Sequence, residues 1–245
     1  MANTVAQDAF HHLIGDLRAT YGDNLASVML YGSAAAGDRV EEGSEYNLLI
    51  ALKRIVPEDL RQAQAPMREW QRLGHPLPVY FTLNELQTAA DVFPIEFQQM
   101  QRARVVLYGP DPFETLSISN ENLRHQTEYE LRSKLIQLRR LYIPASVAVQ
   151  KLQDLMRESL NTFAGLFAAA LLLSEVEPPV HKRECVEATA RHFGLDAAPF
   201  ARIMELHADG ARLRETEANE LFAAYLEQIE RLIDAVDRIV VTGHR

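Results

Sequence analysis

Apolar positions along the chain recur first with mixed spacing and then with helical spacing alone, and that change divides the sequence. Helical spacing over residues 5–21 predicts an opening helix, and the run 25–31 reads as a strand ending on a Gly-Ser turn. A second strand is expected over 45–52, after a polar loop containing Glu41, Glu42, Gly43 and Ser44. Pro57 suits the first turn of a helix over 58–73, and 77–82 reads as a third strand. A short helix over 95–102 begins at Pro94, and a last strand over 104–108 closes on the turn Gly109-Pro110-Asp111-Pro112. From Glu121 onward only helical patterns follow, over 121–142, 146–174, 182–193, 198–207 and 215–241. Gly194 and Gly210 fall where helices should stop, and Pro178-Pro179 marks a connection.

This order predicts an α+β protein: a mixed β-sheet flanked by helices, then an all-α helical bundle. The boundary is expected within 111–120, which gives domains of 1–115 and 116–245. A chain of 245 residues can bury a core in each. No internal repeat or low-complexity segment interrupts the pattern.

Composition narrows the partners more than the fold. Apolar residues make up 47% and charged residues 24%, the balance of a globular chain rather than a disordered one. The net charge of -9 repels nucleic acid and anionic membranes, so neither is expected as a partner. Polar residues after Met1 argue against a secretory leader, and the apolar run 163–173 is shorter than the roughly 20 residues of a membrane span. The single cysteine, Cys185, excludes an intrachain disulfide framework and fits a cytoplasmic location.

One stretch carries chemistry: Leu30-Tyr31-Gly32-Ser33-Ala34-Ala35-Ala36-Gly37, followed by Ser44-Glu45-Tyr46-Asn47-Leu48-Leu49-Ile50. A strand that ends in Gly-Ser and leads into a helix offers backbone N–H groups and a hydroxyl to phosphate oxygens. On a strand, positions i and i+2 share a face, so Glu45 and Asn47 are expected to project together toward that turn.

These residues resemble the nucleotidyltransferase superfamily typified by aminoglycoside nucleotidyltransferases and DNA polymerase β. Its signature is Gly-Ser, a short gap, and Asp-x-Asp on the next strand. The resemblance covers about residues 25–109, and it implies that the helical remainder is the domain that often follows. It also implies that Gly32 and Ser33 bind phosphate and that Glu45 and Asn47 stand where paired aspartates hold two divalent metals, about 4 Å apart, around a nucleoside triphosphate.

The departures from that signature shape the expected function. Glu45 keeps a charge but extends its oxygens further than aspartate does, and Mg²⁺ demands near-ideal octahedral geometry. Asn47 offers one neutral oxygen and cannot bridge two cations as a carboxylate does. Ala36 replaces an expected arginine, for which Arg39 is the substitute within reach. The third carboxylate expected on the next strand is missing from Leu77-Pro78-Val79-Tyr80-Phe81-Thr82, leaving Glu85 and Glu96 on neighbouring elements. The expectation is therefore a pseudoenzyme that binds a nucleotide or acts as a regulator. Two alternatives stand beside it. One is an active Mg²⁺-dependent enzyme moving a nucleoside monophosphate from an NTP to a hydroxyl of a small molecule or protein. The other is an interaction module whose helical half forms a homo-oligomer.

Other polar residues give weaker signals. His11 and His12 lie on different helix faces and read as surface residues. His181-Lys182-Arg183 opens a helix and could meet a phosphate, though a solvated first turn is the plainer reading. Arg132, Lys134, Arg139 and Arg140 form a basic helix face, with Lys151 and Arg157 on the next helix, and such faces are usually solvated. Cys185 has no nearby zinc partners, and no Walker, Rossmann or Gly-x-Ser-x-Gly pattern occurs.

Overall fold

The computed structural model describes residues 2–32, 34–35, 45–179, 181–206 and 213–239. The chain divides into two compact units, Met1–Ile118 and Ser119–Arg245.

The first unit is built on two strands with unbroken apolar runs. β1 (Leu25–Tyr31) and β2 (Asn47–Leu52) are buried over almost their whole length, which requires cover on both faces of the sheet. β1 pairs antiparallel with β2 and with β4 (Arg104–Tyr108), whereas β3 (Val79–Thr82) pairs parallel with β2. The order is β3-β2-β1-β4. Alternation along the strands feeds two separate cores. Val28, Leu30, Leu48, Ile50 and Leu52 face α1 (Ala2–Tyr21) through Leu13, Leu17 and Tyr21, together with Met67 and Trp70 of α3 (Gln64–Arg72). Met29, Leu49 and Ala51 face Leu86 of α4 (Leu83–Thr88) and Phe97 and Met100 of α5 (Pro94–Arg102).

The helix expected over 58–73 is two helices, α2 (Pro57–Gln62) and α3, hinged at Ala63. Pro66 is the cause: in one continuous helix its ring would collide with the carbonyl of Gln62, four residues back. α4 was not anticipated by periodicity. Six residues are too few to show it, and its signal is the capping box, in which the Thr82 and Glu85 backbone N–H groups each donate to the other residue's side chain, at 2.7 and 3.0 Å.

The second unit is all helical among its described residues: α6 (Asn120–Ala145), α7 (Val149–Leu173), α8 (Lys182–Phe193), α9 (Ala198–Glu205) and α10 (Glu215–Asp237). α7 packs against the other four and buries most of its apolar side chains among them. The helix expected from 146 begins only at Val149, after a turn, and the helix expected to reach 241 ends at Asp237. Gly194 stops α8 with φ of 65°, while Gly210 lies outside the described residues. Tyr225 anchors the bundle, with Phe163 and Phe200 edge-on to its ring and its hydroxyl 3.2 Å from Ser159 Oγ. Among the described residues no helix is long and apolar enough to cross a membrane.

The return from β4 passes so close to β1 that only glycine fits. Gly109 has φ of 76°, and a Cβ there would lie 2.1 Å from the Ala26 carbonyl oxygen. Backbone strain and overlap together should make Gly109→Ala cost about 3 kcal/mol or more. Urea unfolding followed by the fluorescence of Trp70, which reports on the first unit, checks this.

Candidate functional site

The end of the sheet where β1 leaves and β2 enters collects the chemistry-bearing segment. Tyr31, the last residue of β1, pairs with Asn47 on one side and Arg104 on the other. One rung of the sheet thus reads Asn47, Tyr31, Arg104, and β3 joins β2 only from Leu49 onward. Alternation turns Asn47 and Tyr31 toward the same side as Leu49 and Met29, the side covered by α4 and α5.

Gly32 makes the turn that leaves this rung. Its φ is 83°, a conformation glycine adopts without strain. Its N–H donates to the Ala103 carbonyl at 3.0 Å, and its own carbonyl accepts from the Ala35 N–H at 2.9 Å. A Cβ at Gly32 would stand 3.6 Å from Asn47 Nδ2, so the Asn47 amide lies directly against the turn. Ser33 and Arg39, expected beside it as phosphate ligands, lie outside the described residues.

Glu45 precedes β2 instead of opening it, because the strand starts at Asn47. The exposed Glu45 acts electrostatically on His75, a residue that the sequence reading did not single out. The His75 ring packs against Tyr46 and Trp70, with centroids 4.7 and 4.4 Å away. Its Nδ1 is buried with no hydrogen-bond partner. Burial pushes the His75 pKa below its ordinary value, and the Glu45 carboxylate pulls the other way. Only the Gly74-His75-Pro76 break hints at this position in the sequence.

Arg104 was missed for a different reason: it reads as an ordinary strand residue until pairing sets it next to Tyr31. Its Nε donates to Asp111 Oδ2 at 2.8 Å and its Nη1 to the Gln101 carbonyl, so its cation is already held. Burial raises the Tyr31 phenol pKa at the same rung.

The substitutes for a third carboxylate are placed elsewhere. Glu85 caps α4 beyond Thr82, which pairs with Leu52, about 17 Å along the strand from Asn47. Glu96 is in the first turn of α5, about 10 Å along the helix from Ala103, whose carbonyl binds Gly32. Among the described residues no three His, Cys, Asp or Glu side chains converge as a metal donor set. One carboxylate at Glu45 and one amide at Asn47 do not fit a pair of bridged Mg²⁺ ions.

Several of the remaining candidates are engaged inside the helical unit. Lys182 donates to Asn161 Oδ1, and burial lowers its pKa. Arg132 pairs with Glu128 at 2.8 Å and Arg139 with Glu230 at 2.7 Å, while Arg157 pairs with Asp154. Cys185 is buried against the Ala164 carbonyl, and His11 and His12 are exposed.

No protein-family model matches the sequence, and no curated protein matches it. Among solved structures, the chain superposes on spectinomycin adenyltransferase AAD(9) from Enterococcus faecialis, determined with ATP and spectinomycin. The TM-score is 0.56 at 14% sequence identity, over 91% of this chain and 98% of that one. The likeness shows a nucleotidyltransferase-like fold, an α+β unit with a mixed sheet followed by helices.

The Glu45 and His75 relation can be checked directly. Glu45→Gln removes the opposing attraction, so the His75 pKa read by imidazole NMR should fall further, and an unmoved titration would separate the two groups. Because the folded pKa is the lower one, the unfolded chain takes up the proton first as pH drops through about 6.5. Stability should therefore decline below that pH, and His75→Gln should flatten the decline in urea midpoints.

Proposed function

We propose that this chain is a nucleotidyltransferase-fold protein in which metal-dependent nucleotidyl transfer is impaired or lost, and that its role is to bind a nucleotide or to regulate. The observation that carries this reading is the rung at the Gly32 turn. Asn47 stands against the turn with Tyr31 as its register partner, and Asn47, Tyr31 and Arg104 bring no carboxylate to the rung. Two-metal transfer needs oxygens that bridge both cations and offset their charge, which an amide cannot do.

Nucleotide as the ligand draws support from two sides. The Gly32 turn leaves the strand end with positive φ at the position where the resembled family binds phosphate, and the structural neighbour was determined with ATP. In this reading Gly32, Ser33 and Arg39 meet the phosphates, and Glu45 stands at the first of the family's aspartate positions.

Isothermal titration with ATP, GTP, CTP and UTP, each with and without Mg²⁺ or Mn²⁺, tests it. Binding of one nucleotide should change little on adding metal. Restoring both carboxylates with Glu45→Asp and Asn47→Asp should make binding metal-dependent and at least ~10-fold tighter, since ligand charge sets cation affinity. Wild-type turnover at rates of about 1 s⁻¹ or more, abolished by Glu45→Ala, would overturn the proposal and establish an active transferase.

A further inference from the structure

The two helices on either side of Ala63 carry an apolar stripe and a polar stripe side by side. Leu60, Ala63 and Met67 follow one another at steps of 3 and 4 residues, and Arg61, Gln64, Arg68 and Gln71 at steps of 3, 4 and 3. Ala63 and Met67 are buried, whereas Leu60 is 47% exposed. On the strand side Leu77 is 55% exposed, and the Tyr80 ring is held edge-on to Tyr21 with centroids 6.4 Å apart. These two sides enclose an open groove of about 720 Å³, within the roughly 300–1,000 Å³ of small-molecule sites. Its floor is Met67 and Tyr80, and Leu60 and Leu77 leave apolar surface at its mouth.

The charge of the groove is opposite in sign to that of the chain. The net charge is -9, yet the charged side chains lining the groove are Arg61 and Arg68, with no carboxylate among the lining residues. The acids on the same two helices are engaged elsewhere. Glu58 meets Arg61 at 3.0 Å, Glu69 meets Arg72 at 2.7 Å, and Asp59 accepts the Val56 N–H at 2.9 Å. Arg68 is left with no ion pair among the described residues. A guanidinium is weakly hydrated and presents a planar fork of donors, which suits an acid group arriving on an apolar body. A peptide strand fits less well. β3 is four residues long at the edge of the sheet, and Pro78 ahead of it has no N–H to offer an added strand.

We propose that the groove between α2, α3 and β3 binds a small amphiphilic anion, an aromatic or aliphatic body carrying one carboxylate or sulfonate. The apolar part lies between Leu60 and Leu77 over Met67 and Tyr80, and the acid group meets Arg68. Tyr80 packs on the α1 side of the sheet, whereas Asn47 faces the α5 side, so this groove and the Gly32 turn belong to opposite faces. The inference stands independently of any nucleotide chemistry.

Fluorescence titration with anilinonaphthalene sulfonate, an aromatic body with a single anionic group, tests it. The full chain should bind the probe saturably at one site with a Kd of about 100 µM, weak because the groove is open. Energy transfer from Trp70, the single tryptophan and a neighbour of the groove on α3, should accompany binding. Octanoate should displace the probe and octanol should not. Arg68→Gln should weaken the sulfonate about 10-fold and leave the uncharged parent, phenylnaphthylamine, unchanged, while Leu77→Glu should weaken both. The absence of saturable binding would overturn the proposal, as would a sulfonate affinity indifferent to Arg68→Gln or no greater than that of the uncharged parent. Both side chains are exposed, so the variants should melt like the wild type. Should Leu77→Glu melt early, Gln71→Glu on the polar stripe decides: it should weaken the sulfonate alone, and an unchanged affinity would also overturn the proposal.

Discussion

The pairing of β1 on both of its edges is the constraint from which the first unit follows. β1 is the one described strand with antiparallel partners on both sides, and its side chains feed both cores. Once Val28 and Leu30 commit to the side of α1 and Met29 to the side of α5, the directions of Tyr31 and Asn47 beside the Gly32 turn are settled. Asn47 meets that turn because Tyr31 and Asn47 are register partners. The candidate site is in this sense a by-product of sheet register, built where the central strand runs out.

How much of this was legible depended on the range over which each signal acts. β1 and β4 read off the sequence to the residue because apolar runs ended at Gly32 and Gly109, both of which hold positive φ. The break at Ala63 was written in Pro66, three residues beyond it, and α4 in the spacing of Thr82 and Glu85. These local signals were outweighed by a longer periodic pattern. Glu45 next to His75, and Arg104 next to Tyr31, join segments some 30 and 70 residues apart, and nothing local encodes such neighbours. Glu45 and Asn47 were read as one strand pair, yet the strand begins at Asn47 and the alternation rule does not extend back to Glu45.

The helical unit shows the opposite balance. Its helices follow from local pattern and differ from expectation at their ends: α7 begins at Val149 after a turn, and α6 runs to Ala145, three residues past the expected end. Its basic face was expected to be solvated, and instead ion pairs such as Arg139 with Glu230 tie α6 to α10. Partly exposed pairs of this kind contribute little to stability and mainly fix which surfaces stay free. What they leave exposed on α6 includes Tyr129, Ile136 and Ile143.

The bond from Ser27 Oγ to the Tyr108 carbonyl spans 81 positions of sequence. Such a contact forms only after a long loop has closed, and topologies rich in distant pairings fold slowly. During synthesis β1 must wait, with one edge open, until β4 has emerged, and α6 likewise waits for α10, whose Glu230 lies 91 positions beyond Arg139. The interval between β2 and β4 is the period in which the central strand of the sheet is exposed to pairing with other chains.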